Sequence, residues 1–196
     1  GIDFFSVVSR GSQFRVESMM LRLAHTQNFL MLSPSRAQVA DQPAAECLPL
    51  VMEPESQYYT SPVVVLDFLS LYPSMIIAYN LCYSTCLGRV PKHGSHVCVA
   101  RKFGCASLHL PPGELAKACK SELTVTPNGV MFASPAYRRG VLPRLLREIL
   151  ATRVMVKTSM KNAAADQRVL KRVLNARQFG LKLLSNVTYG YTAAGF

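Results

Sequence analysis

Apolar positions recur at helical spacing in three places along the chain. Near the start, Val16, Met19, Met20 and Leu23 follow Ser12 at intervals that place them on one helix face, with Ser12 available as a cap. From Gly140, the stretch Val141–Lys157 keeps a helical period and holds Pro143 in its first turn, where a missing N–H is tolerated. A polar stretch, Lys161–Gln167, separates it from a second helix over about Arg168–Val187, which Gly190 is placed to end. Two helices with so short a link predict an antiparallel hairpin. The pattern changes at Val63-Val-Val-Leu-Asp-Phe-Leu69, a continuous β-branched and apolar run of strand length, the sort buried on both faces of a sheet. Ser70-Leu-Tyr-Pro73 breaks that run, and Ser74-Met-Ile-Ile-Ala-Tyr79 begins another helix. Residues 32–61, rich in Pro, Ser, Gln and Ala, read as a connecting segment. Residues 88–130 hold Gly and Pro at frequent intervals, which predicts small strands and loops.

Composition narrows the class. Of 196 residues, 49% are hydrophobic and 17% charged, which excludes a disordered tail. Lys and Arg number 22 against 11 Asp and Glu, for a net charge of +11. An excess of that size serves either a polyanion, nucleic acid or nucleotide, or solubility alone. Apolar runs such as Val63–Leu66 and Met75–Tyr79 are far shorter than the ~20 residues of a membrane helix, and residues 1–30 lack a signal-peptide pattern. No membrane partner is expected. The six Cys stand at irregular spacings, which points to free thiols in a reducing compartment. His93, His96, Cys98 and Cys105 lie close together, but their spacing fits no tetrahedral metal pattern.

Three sets of residues carry candidate chemistry. Asp67 is an ionisable carboxylate set in an apolar run, where it needs a metal or a partner; the alternative is a cap on the following turn, beside Ser70 and Ser74. Gln178, Lys182, Asn186 and Tyr189 are spaced by four, four and three, and so share one helix face. Such stripes are commonly solvated, yet Tyr189 and the adjoining Gly190 have no use on a plain polar surface. Arg153 and Lys157 stand one turn apart on the preceding helix.

Asp67-Phe-Leu-Ser-Leu-Tyr-Pro-Ser74 resembles motif A of the B-family DNA polymerases, D-x-x-S-L-Y-P-S. The resemblance implies that Asp67 binds two catalytic Mg²⁺ ions with help from the Phe68 carbonyl. It also implies that the backbone at Ser70 and Leu71 cradles a triphosphate, and that Tyr72 lies under the sugar as a gate against a 2′-hydroxyl. Lys182-Leu-Leu-Ser-Asn-Val-Thr-Tyr-Gly190 is similar to motif B, K-x-x-x-N-S-x-Y-G. There Lys182 would contact the triphosphate, while Asn186, Tyr189 and Gly190 would shape the floor of the base-pair pocket. Arg153 and Lys157 match a basic pair on the family's first fingers helix, so three cations would converge on one nucleotide.

The implied fold is α+β, a partial palm with a mostly antiparallel sheet that includes the Asp67 strand, plus a two-helix fingers element. The expected division is 1–61 leading into the palm, 62–138 palm with motif A, 139–189 fingers with motif B, and 190–196 returning to the palm. The family's second metal-binding Asp belongs to a motif C hairpin expected after Phe196, so the chain reads as an excerpt that would catalyse nothing alone. Val187 in place of the usual Ser, the Ala78–Gly88 stretch and the opening Arg10–Arg22 segment are similar to a translesion branch of the family. That branch implies primer–template DNA and dNTP as partners, accessory subunits and a nuclear location. A replicative B-family enzyme and an inactive polymerase-fold scaffold for nucleic acid are the alternatives.

Overall fold

The computed structural model describes residues 2–31, 33–41, 52–90, 102–103, 106–107 and 113–192. In chain order these form α1 Phe4–Ser9, α2 Ser12–Thr26, α3 Arg36–Ala40, α4 Leu71–Ala78, a 3₁₀ turn Tyr83–Thr85, and β1 Cys86–Arg89. Then come β2 Lys102–Phe103, β3 Ala106–Ser107, α5 Glu114–Cys119, β4 Leu123–Val125, β5 Val130–Ala133, α6 Val141–Asn162 and α7 Arg168–Tyr191.

The main core lies among α2, α6 and α7. Val16, Met20 and Ala24 of α2 pack with Val141, Leu142, Leu145, Leu146 and Ile149 of α6 and with Tyr191 of α7, and Met19 and Leu23 flank them. The apolar face expected on α2 is thus the face that packs. Its N-cap is Gly11 rather than Ser12, which opens the helix. Helices α6 and α7 pack along one another and α4 lies against both, so α4 is held at the root of the helical hairpin.

A second, smaller core joins α5 to an antiparallel sheet in the order β1-β5-β4. Leu87, Met131 and Ala133 of the sheet enclose Ala118 of α5. The helix was not evident in a segment punctuated by Gly and Pro. Thr126-Pro127-Asn128-Gly129 turns β4 into β5: the Gly129 N–H donates to the Thr126 carbonyl at 2.8 Å, and Gly129 takes a φ of 81° that suits a residue without Cβ.

Three expectations need correction. Residues 62–68 form no strand: Val64, Val65, Leu66 and Leu69 are 79–88% exposed, and the sheet is built from β1, β4 and β5 without Asp67. β-Branched residues favour an extended backbone, but a strand exists only when a neighbour accepts its ladder, and no described segment does. Helix α4 begins at Leu71, three residues before Ser74, because Ser70 takes a left-handed conformation (φ 53°, ψ 51°) and Pro73 fits in the first turn. Helix α7 runs through Gly190 to Tyr191, where its last turn packs against α2, so tertiary contact overrides the stop signal of the glycine.

Gly140, the N-cap of α6, sits where a Cβ would come within 2.9 Å of Cys82 Cβ and of Pro143 Cδ. Neither neighbour is the free end of a flexible chain. Gly140→Ala is therefore expected to lower stability by about 1–3 kcal/mol. Thermal unfolding measures it, and an unchanged midpoint would show that this junction is looser than its contacts imply.

Candidate functional site

The site begins at the start of α4. Left-handed Ser70 turns the chain abruptly from the extended segment into the helix, and the Ser74 hydroxyl and N–H tie the turn down by donating to the Leu69 carbonyl (3.2 Å) and the Ser70 carbonyl (2.9 Å). A first turn leaves its N–H groups without intrahelical acceptors, so those of Leu71 and Tyr72 are available to an anion. Asp67 precedes this turn on the exposed segment and makes no hydrogen bond or ion pair among the described residues. The Phe68 side chain is likewise exposed, with its backbone adjoining Asp67.

Tyr72 leans onto α7. Its ring stacks on Tyr189, with centroids 4.8 Å apart and planes 14° from parallel. Offset stacking of this kind contributes about 0.5–1.5 kcal/mol beyond the area it covers. The last residue of the expected stripe is thereby joined to the residue expected under the sugar. Lys182 and Asn186 are exposed on α7, and Tyr189 is half-buried. A Cβ at Gly190 would meet nothing within 4 Å, so the helix surface beside Tyr189 is open to a close approach.

Gln178 shares that angular face, about 20° from Tyr189 at 100° per residue, but it is covered. It is 8% exposed, packs on the core side with Leu174, and donates from Nε2 to Asn175 Oδ1 at 3.2 Å.

On α6, Lys157 is exposed and Arg153 half-buried, with an Arg153 Nε that is shielded from water and lacks a hydrogen-bond partner among the described residues. If the hairpin is reflected through its turn at 163–167, Arg153 lies level with about Arg177. Lys182 then stands about 7 Å further along α7, a gap that two long side chains can close across helices 8–10 Å apart. Helix α7 also carries Arg168, Lys171, Arg172 and Arg177 and no acid, so the helix is basic along its length.

The donor set fits a hard cation in kind, through the Asp67 carboxylate and the Phe68 carbonyl, but it is incomplete. Among the described residues no three His, Cys, Asp or Glu side chains gather to hold a metal. His93, His96, Cys98 and Cys105 lie outside the described residues. Cys82, Cys86 and Cys119 are free thiols, and burial pushes that of Cys86 up, which keeps it protonated.

Sequence reasoning missed the turn after α4. Asn80, 2% exposed, donates from Nδ2 to the Ala133 and Arg138 carbonyls, both at 2.8 Å, and accepts the Gly140 N–H at 2.9 Å. Nothing local to Asn80 reveals partners more than fifty residues away. The one available signal is its place just past an apolar helix, where Asn tolerates a φ of 54°.

The sequence pattern of DNA polymerase family B matches residues 2–195. The DNA polymerase zeta catalytic subunit of Arabidopsis thaliana is 61% identical over all of this chain, which covers 10% of that protein. The DNA polymerase delta catalytic subunit of Oryza sativa subsp. japonica is 36% identical over 99% of the chain and 15% of its own length. A family B DNA polymerase structure from the archaeon Pyrobaculum calidifontis superposes with a TM-score of 0.54 at 24% identity, covering 97% of this chain and 21% of that one, which bears on the fold alone. The chain spans 6–16% of the length of the curated relatives it matches. A family pattern running along almost every residue, with its two motifs meeting at Tyr72 and Tyr189, places the chain in DNA polymerase family B, nearer to zeta than to delta catalytic subunits.

Proposed function

We propose that the chain supplies the nucleotide-facing part of a template-directed DNA polymerase of the translesion kind. One observation carries the reading: the Tyr72–Tyr189 stack brings motif A and motif B to one surface. In the reaction a primer 3′-hydroxyl attacks the α-phosphorus of a dNTP, and pyrophosphate leaves. Asp67 and the Phe68 carbonyl would hold Mg²⁺, together with triphosphate oxygens and a carboxylate from elsewhere in the full-length protein. When bound, the ions stabilise charge on the attacking and leaving oxygens. The chain's own groups bind and orient: the Leu71 and Tyr72 N–H groups receive phosphate oxygens, and Arg153, Lys157 and Lys182 neutralise the triphosphate. The Tyr72 ring lies under the sugar, while Asn186, Tyr189 and Gly190 form the floor beneath the new base pair.

Among the described residues no group of three metal-binding side chains gathers at Asp67, so on this reading activity belongs to the full-length protein. Its partners on this reading are primer–template DNA, dNTP and accessory subunits, and its location is nuclear. The cations supply the test. Lys182→Ala and Arg153→Ala in the full-length enzyme should each raise KM for dNTP by about tenfold or more, since a charge-assisted bond to phosphate contributes ~1.5–3 kcal/mol. Primer–template affinity should stay within about twofold. Normal dNTP kinetics with a DNA-binding salt slope lowered by about one unit would assign these residues to the DNA backbone instead.

A further inference from the structure

We infer that the turn Asn80–Ser84 is a socket that sets the direction of the α6–α7 hairpin over motif A, and that Asn80 and Tyr83 are positioning residues for nucleotide binding. The inference rests on the polymerase reading above. Its physical basis is helix capping supplied from a distant part of the chain. The N–H groups at the start of a helix need acceptors from outside it. At α6, Asn80 Oδ1 accepts from Gly140 N–H at 2.9 Å, Ser84 Oγ from Val141 N–H at 3.4 Å, and Cys82 Sγ from Leu142 N–H at 3.4 Å. Pro143, next in line, has no N–H to satisfy. The other end of the hairpin is held by the same turn, because the Tyr83 hydroxyl donates to the Thr192 carbonyl at 2.9 Å, at the C-cap of α7.

The turn itself is rigid and fixed to α4. Leu81 N–H donates back to the Ile76 carbonyl at 3.1 Å, and the Asn80 backbone takes the left-handed conformation that ends α4. Thr85, 1% exposed, donates its hydroxyl to the Asn80 carbonyl at 2.7 Å. The Asn80 amide is satisfied at both heavy atoms, by the end of β5, by Arg138 and by the cap of α6. Both roots of the hairpin and the helix bearing Tyr72 therefore converge on five consecutive residues.

Leverage turns this anchoring into a functional property. Arg153 lies thirteen residues beyond Gly140, about 20 Å along α6, and Lys182 about 15 Å from Thr192. A tilt of roughly 5° at the root moves a group 20 Å away by about 2 Å. Misplacement of even about 1 Å at a reacting centre costs up to ~10²-fold in rate. A loosened socket would thus weaken nucleotide handling while leaving Asp67 and the DNA-binding surfaces in place.

The test uses the full-length polymerase with two variants. Asn80→Gly removes the amide while Gly accepts the φ of 54°, and Tyr83→Phe removes only the hydroxyl. KM for dNTP should rise about tenfold in the first and about threefold in the second, with primer–template Kd within about twofold and the larger share of the loss in KM rather than kcat. Should Asn80→Gly fail to fold, Asn80→Asp keeps the acceptor for Gly140 but sets oxygen against the Ala133 and Arg138 carbonyls, and the same rise in KM is expected. A fall in melting temperature with dNTP KM and kcat unchanged in both variants would overturn the inference and leave the turn purely structural. Asp67→Ala, assayed alongside, separates the two levels: extension that survives it removes the proposed metal site at Asp67 on which the nucleotide-facing reading rests, whereas extension that depends on Asp67 beside normal Asn80→Gly and Tyr83→Phe kinetics removes only the socket.

Discussion

Asp67→Ala in the full-length enzyme is expected to reduce nucleotide addition by at least about 10³-fold, equivalent to roughly 4 kcal/mol of barrier, with primer–template affinity nearly unchanged. The direction follows from what Asp67 does and does not touch. It is exposed, and no described residue donates to it, so the fold gains nothing from its charge. Removing it should leave the melting temperature within about 1 °C, since surface changes away from packing or bonds shift stability little. Loss of activity without loss of stability or DNA binding is the signature of a carboxylate retained for a cation. Single-turnover addition of one dNTP measures it. A decrease of about tenfold or less would mean that the metal is held mainly by other groups.

Tyr72→Ala should raise ribonucleotide use relative to deoxyribonucleotide by about 10²-fold in the ratio of kcat/KM values, while Tyr72→Phe should leave the ratio within about threefold. The contrast matters because the proposed gate is the ring and not the hydroxyl. The ring is supported at one face by the stack on Tyr189, which biases it against swinging aside for a 2′-oxygen. Alanine removes both the obstruction and the contact that holds it. Competition between the two nucleotides on one primer–template gives the ratio directly. If alanine leaves it unchanged, Tyr72 is a packing partner for α7 and the sugar is read elsewhere.

Legibility in the sequence followed the range of the interactions. Helices α2, α6 and α7 could be read because their apolar period is local and each supplies most of its own hydrogen bonds. The strand expected at Val63–Leu69 could not be settled that way, since pairing is a property of two segments. Asp67, Tyr72, Lys182 and Asn186 stood out through the motifs they resemble, whereas the burial of Gln178 on the same stripe was not legible, because spacing alone does not show where a helix face meets its neighbour. The roles of Asn80, Tyr83 and Gly140 were invisible, as their partners lie fifty or more residues away and each residue type is ordinary at its position. Helix α5 escaped notice because its stability comes from Ala118 under the small sheet rather than from a long amphipathic repeat.

The paired tyrosines have a consequence for how such an enzyme can change over evolutionary time. On the proposed reading one ring would face the sugar and the other the base pair, and the two share a surface. A substitution that relaxed such a floor to admit a distorted, damaged pair would also withdraw support from the neighbour proposed to guard against ribose. Tolerance of lesions and exclusion of RNA precursors would then not be independent traits: a lineage gaining the first would drift toward losing the second, unless a compensating change steadied Tyr72 from another side.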